Sequence, residues 1–193
     1  MPPGTRRGGI KVNKNIRKLV VSGMLAAVVA VLSPYFTFPV FGSKCAPLQH
    51  MVNVFAAVLL GPFWGVGIAF CISLIRNLTG TGTLLAFPGS MIGALLCGVV
   101  YWKWKKLVPT YFAEVLGTGV IGGMVCFPVA KFLMGNETAA LFTFVVPFLI
   151  STAGGTIFAA VLIGILKKSG ALGYLKGLLE EGKAEKSTAA KTV

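Results

Sequence analysis

Seven polar side chains stand out in a chain that is otherwise largely apolar, because they cluster at the ends of apolar runs. The segment from Lys44 to Gly93 reads KCAPLQHMVNVFAAVLLGPFWGVGIAFCISLIRNLTGTGTLLAFPGSMIG. Gln49, His50 and Asn53 open its first apolar run, Ser73, Arg76 and Asn77 close the second, and Ser90 stands near the start of a third. Gln49 and Asn53 are four residues apart, as are Ser73 and Asn77, so each pair shares a helical face. Only Gly61-Pro62 separates the first two runs, and Pro suits a first helical turn. A hairpin of two helices would therefore bring all these groups to one side. Amides, an imidazole, hydroxyls and a guanidinium can together donate to and accept from a small polar ligand. Phe87 adds a ring that could stack on it.

The same inventory excludes most catalysis. The chain contains no Asp, and Glu114 is its first acidic residue. That removes paired-carboxylate acid–base chemistry and carboxylate-bound Mg sites. A single His supports neither a His-rich metal site nor a Ser-His-Asp triad. The phosphate-binding pattern G-x-x-x-x-G-K-[ST] is absent, so the chain carries no ATPase motif. Cys45, Cys71, Cys97 and Cys126 are scattered without paired C-x-x-C spacing. No resident cofactor or metal is expected, and an enzyme is disfavoured.

The elements that must position these residues are membrane helices. Of 193 residues, 55% are hydrophobic and 12% charged, and the mean hydropathy is +0.84, which fits neither a soluble domain nor a disordered chain. One crossing takes ~20 apolar residues, so residues 19–166 read as one all-α membrane domain of six transmembrane helices. A basic segment, residues 1–18, precedes it, and a basic tail, residues 167–193, follows as a solvated end. The expected spans are about Leu19–Ser33, Leu48–Leu60, Phe63–Leu78, Ala86–Trp102, Thr110–Leu133 and Thr138–Leu166. The first leads straight into more membrane without a small-residue cleavage site, unlike a signal peptide.

The net charge of +13 raises nucleic acid as a partner, and its placement argues against it. Fifteen of the 18 Lys and Arg fall in the N-terminal segment, in Trp102–Lys106 and from Lys167 onward; only Lys44, Arg76 and Lys131 lie elsewhere. With six spans those three basic stretches share one side, which the positive-inside rule makes cytoplasmic. Both termini are then cytoplasmic and the Gln49–Ser90 cluster faces outward. Tyr35–Pro47, aromatic and apolar for a loop, is expected to fold back as a lid. Arg76 has a plain alternative in snorkelling to headgroups, and Ser90 in capping its helix. Glu114 is expected near the inside start of span five, far from the outward cluster, at the cytoplasmic face or paired with a nearby Lys. Ser22, Ala26 and Ala30 form a small stripe, suited to close helix contact within the chain or with a partner.

The pieces KCAPLQHMVNV, LLGPFWGVGIAF and LIRNLTGTGTLLAFPGSMIGALLCG resemble the ThiW family, substrate-binding S components of energy-coupling factor (ECF) transporters proposed to carry the thiazole precursor of thiamin. The resemblance covers about residues 17–167. It implies six helices with cytoplasmic ends, in the cell membrane of a bacterium or archaeon, and substrate held near the outer face beneath the first outside loop. It also implies docking of Ala26-x-x-x-Ala30 on a transmembrane T component, with two cytoplasmic ATPases supplying the ATP chemistry. Within that frame Gln49, His50 and Asn53 are expected to bind hydroxyethylthiazole. Asn77, Ser90 and Phe87 assist, and Arg76 binds the hydroxyl or a phosphate. Thiamin itself, its pyrimidine half or another small vitamin remain as substrates, and a membrane assembly protein without transport remains as another class.

Overall fold

A computed structural model describes residues 13–180 of the chain. Helix α1, Lys14–Phe36, starts at Asn13, whose side-chain oxygen accepts from the Asn15 amide at 3.1 Å, a normal N-cap. The segment expected to precede the first helix therefore gives up Lys14–Lys18 to it, and residues 1–12 lie outside the described residues. α1 runs through Pro34 instead of stopping before it.

The first loop is not a coil. Strands β1, Phe38–Val40, and β2, Ser43–Cys45, pair antiparallel, with Phe38 opposite Cys45 and Val40 opposite Ser43. Phe41 and Gly42 have φ of 46° and 77°, the positive values that a two-residue hairpin turn demands. An otherwise all-helical chain thus carries a small β-hairpin. The helices that follow are α2, Pro47–Leu59, α3, Pro62–Leu78, and α4, Ala86–Trp104. Gly61 turns between α2 and α3 at φ 94°, a backbone that favours glycine. α5 runs Leu107–Leu133 and α6 Val145–Lys168.

Within α5 the stretches Val115–Gly122 and Val129–Leu133 are wound as π-helix. Such widened turns recur at functional sites, and here the first begins directly after Glu114. The last helix, α7, Ala171–Glu180, was not expected: Leu172 and Leu179 are buried, so the first part of the tail packs back on the bundle. Residues 181–193 lie outside the described residues.

Four helices, α1, α4, α5 and α6, are long and apolar enough to cross a membrane. α2 and α3, with 13 and 17 residues, are shorter than that, at about 20 and 25 Å for a rise of ~1.5 Å per residue. Among the described residues there are thus four long apolar helices, two shorter ones where the second and third spans were expected, and α7 as a seventh helix. Large apolar side chains such as Met24, Val31, Phe63, Leu116 and Val161 are exposed, as lipid-facing residues must be. Inside, Val29, Val52 and Ile72 form one apolar cluster and Val54, Cys97, Ala159 and Ile163 another. α2 is buried in the middle of the bundle between them.

Glycines set how closely α4 approaches α5. A Cβ on Gly122 would lie 2.8 Å from the Gly89 Cα, and one on Gly117 would lie 3.0 Å from the Gly93 Cα. Gly89 and Gly93 are four residues apart, the small-xxx-small spacing that lets membrane helices touch backbone to backbone. That contact carries Glu114 and Thr118 of α5 against Gly93 of α4.

Candidate functional site

The polar groups of α2 and α3 do converge. The Gln49 amide donates to the Ser73 hydroxyl at 2.9 Å, and the Arg76 guanidinium donates to the Gln49 carbonyl oxygen at 2.6 Å. Arg76 also donates to the Thr81 carbonyl at 2.8 Å and is 3% exposed. It therefore does not snorkel. Among the described residues its hydrogen-bond acceptors are neutral oxygens, and its Nε is buried without a partner.

One helical turn deeper, Asn53 donates to Glu114 Oε1 at 2.9 Å and to the Ser90 hydroxyl at 3.2 Å. The Thr118 hydroxyl donates to the same Oε1 at 3.1 Å, and His50 Nδ1 lies 3.2 Å from it. An oxygen that already accepts from an amide and a hydroxyl makes Nδ1 the protonated nitrogen, since the imidazole then donates as its neighbours do. Glu114 is fully buried. It joins α2 to α5, and through Asn53 both join α4. Glu114 Oε2 and the Asn53 carbonyl oxygen are buried without partners, two acceptors still to be satisfied, each costing on the order of 1–3 kcal/mol if left so.

This overturns the expectation that Glu114 sits at the cytoplasmic face, away from the cluster. The physical reason is depth. His50 and Asn53 lie in the first two turns of a helix only 13 residues long, so they sit well inside the bundle. α5 begins at Leu107 instead of Thr110, which carries Glu114 about 10 Å into the bundle.

Above this network lies a cavity of about 20 Å³ lined by residues including Gln49, His50, Arg76, Ser90, Phe148 and Ser151. That is room for a water or two. The hairpin closes it: Lys44 of β2 lines the cavity and donates to the Gly80 carbonyl across the α3–α4 loop. The hairpin is moored on the other side as well. The Ala46 amide donates to the Ser151 hydroxyl at 2.8 Å, and the Cys45 thiol donates to the Pro147 carbonyl at 3.1 Å. Burial pushes the Cys45 thiol up, which keeps it a protonated donor. The lid expectation for Tyr35–Pro47 thus acquires named contacts.

Of the residues singled out from sequence, Gln49, His50, Arg76 and Ser90 line the cavity and Asn53 lies just beneath. Asn77 does not reach it. Its amide donates to the Ser73 and Thr83 carbonyls at 2.8 and 2.9 Å, holding the loop. The Thr81 and Thr83 carbonyls are thus tied to Arg76 and Asn77, and Thr83 itself lines the cavity. Phe87 is corrected: its ring packs on Phe70, 5.5 Å between centroids, and Phe148 of α6 is the aromatic wall instead. Ala26 is buried beside Val29 and Val52, on the wall of a groove between α1 and α3, and Ala30 is half-buried. Glu114, Thr118, Phe148 and Ser151 were missed as site residues. The glycines of Gly117–Gly123, opposite Gly89-x-x-x-Gly93, were the signal that α5 lies against the pocket. No group of three or more potential metal ligands gathers among the described residues.

Residues 19–169 match the family described as thiamine-precursor transporter protein (ThiW). A curated relative, the thiamine precursor transporter HmpT of Lactococcus lactis subsp. cremoris (strain MG1363), is 27% identical over 165 residues, 83% of this chain and 93% of the relative. No solved structure matches the chain. With a closed polar cavity between membrane helices and a family match spanning the whole bundle, the chain belongs to the ThiW family of thiamine-precursor transporters.

Proposed function

We propose that this chain is the substrate-capture (S) subunit of an ECF-type importer and binds hydroxyethylthiazole in the cavity beneath the hairpin. The observation that carries the reading is that a buried guanidinium, Arg76, and an imidazole, His50, both line that cavity. Arg76 is a buried cation whose hydrogen-bond acceptors are neutral oxygens, so it favours an oxygen-bearing ligand, a hydroxyl or a phosphate. His50 keeps Nδ1 toward Glu114, which leaves Nε2 as the ring nitrogen for the ligand. A hydroxyethyl group satisfies both, accepting from Arg76 and hydrogen-bonding to His50, while Phe148 covers the ring. The present cavity is too small for such a molecule, so entry requires the hairpin to lift from Gly80.

The pyrimidine half of thiamin is the second reading. It is favoured by Glu114 Oε2 and the Asn53 carbonyl, two acceptors without donors that an exocyclic amine would fill. In either case six membrane-embedded helices with both termini cytoplasmic would hand the cargo to a T component and two ATPases, which supply the ATP chemistry. Ala26, on the α1–α3 groove, and Ala30 remain the proposed docking stripe. Co-purification with those partners tests the assembly, and uptake sustained by the chain alone would overturn it.

The test of substrate is calorimetric titration of the purified protein with hydroxyethylthiazole, the hydroxymethyl aminopyrimidine and thiamin. Saturable heat with the thiazole alone is expected. Binding of the pyrimidine instead would move the cargo to the second reading, and silence for all three would refute the capture role.

A further inference from the structure

The end of the bundle opposite the hairpin holds a second, larger polar cavity of about 540 Å³, which belongs to no part of the site described above. Lys14 and Lys18 of α1, Tyr101 and Lys105 at the end of α4, and Lys176 and Glu180 of α7 contribute to its wall. Four ammonium groups from three separate segments thus face one carboxylate. Two of them share a ring: Lys176 Nζ is 4.9 Å and Lys105 Nζ 5.4 Å from the centroid of Tyr101, whose hydroxyl also accepts from Lys176. Lys18 donates to the Leu60 carbonyl at 2.9 Å, which anchors a third. Lys105 holds φ 53° at the helix end, a left-handed position that glycine usually takes. Positive charges gathered this closely repel one another, and an anion among them removes the repulsion.

We propose that this cavity binds the phosphodiester headgroup of an anionic phospholipid. Phosphate chemistry suits converging ammonium groups beside a hydroxyl. The lipid source follows from place. The cavity lies where α1 begins and α2 and α4 end, the level of the headgroups, and basic pockets between helices there take acidic lipids. Trp102 and Trp104, 67% and 55% exposed, flank it as interfacial aromatics do. Ala57–Leu60 give the cavity an apolar wall for the start of the acyl chains. The proposal depends neither on the thiamin-precursor reading nor on which leaflet this end faces.

The test is native mass spectrometry of the full chain in detergent, titrated with dioleoylphosphatidylglycerol or dioleoylphosphatidylcholine. The anionic phosphatidylglycerol is expected to bind more tightly. Its apparent Kd is expected to rise about five-fold in Lys105→Gln and again in Lys176→Gln, as expected for one basic residue near an anionic headgroup. Lys103→Gln, which removes a charge from the same helix end but does not line the cavity, is expected to leave it unchanged. Lys105 is exposed, so its replacement keeps the fold even if that of Lys176 does not. Equal binding of the two lipids, or equal weakening by Lys103→Gln and Lys105→Gln, would overturn the proposal. Lysine-dependent binding of inorganic phosphate with no preference between the lipids would assign the cavity to free phosphate and overturn it as well.

Discussion

The two ends of this bundle hold polar groups in opposite ways. Beneath the hairpin, Gln49, Asn53, Arg76 and Glu114 are nearly or fully buried and bonded to one another, around a cavity that admits a water or two. At the other end the lysines line a cavity more than twenty times larger, and Tyr101 and a helix carbonyl are their partners. Buried hydrogen bonds are costly to break because the orphaned partner stays out of water. Charges in a wide, wet cavity act by graded, screened attraction. The first arrangement suits recognition of one molecule; the second suits a class of anions.

Removing Glu114 tests that contrast hardest. Glu114→Leu takes the acceptor from one N–H of the Asn53 amide, from the His50 imidazole and from the Thr118 hydroxyl together. It is expected to cost about 3 kcal/mol or more of stability and to abolish precursor binding, read by thermal unfolding in detergent and by titration. Glu114→Gln, which keeps an acceptor at the same place, should recover part of both. A Leu variant as stable as the parent would mean that the network is incidental.

How far the sequence revealed this end follows from the same residues. The α2–α3 half of the site was legible, since Gln49, His50, Arg76 and Ser90 are polar islands in apolar runs and helical spacing places them on faces. The α5–α6 half was not. Glu114 lies 61 residues after Asn53, and no local pattern measures how deep a helix enters a bundle. Phe87 was misassigned because one aromatic residue near a polar cluster looks like another. Only packing decides that Phe87 meets Phe70 while Phe148, on a different helix, faces the cavity. The hairpin was read as a folded-back loop but not as strands, its turn resting on Phe41, a residue that rarely takes positive φ. Helix α7 was missed because the lysine- and alanine-rich tail masked its two buried leucines.

A smaller effect is expected from spacing alone. Gly93→Ala puts a methyl into Thr118 Oγ1 and 3.0 Å from Glu114 Oε2, pushing α5 away from α4. The expected loss is about 1–3 kcal/mol, read as a lower unfolding temperature, together with weaker binding. Gly164→Ala, with nothing within 4 Å of the new methyl, should not destabilise, since Ala is the better helix former, and serves as the control.

Smaller again is the aromatic contrast. Phe148→Leu should weaken binding several-fold by thinning the cavity wall, whereas Phe87→Leu should leave affinity unchanged. The reverse order would return the ring-stacking role to α4.

The most direct measurement is titration of the bound thiamin precursor into His50→Ala and Asn53→Ala beside the parent protein. Each variant removes one polar group from the cavity wall or the layer beneath it and leaves the lysine end untouched. At about 1.4 kcal/mol or more per lost buried hydrogen bond, affinity should fall at least about ten-fold in each. Unchanged affinity in both would place the ligand elsewhere in the molecule and contradict the account.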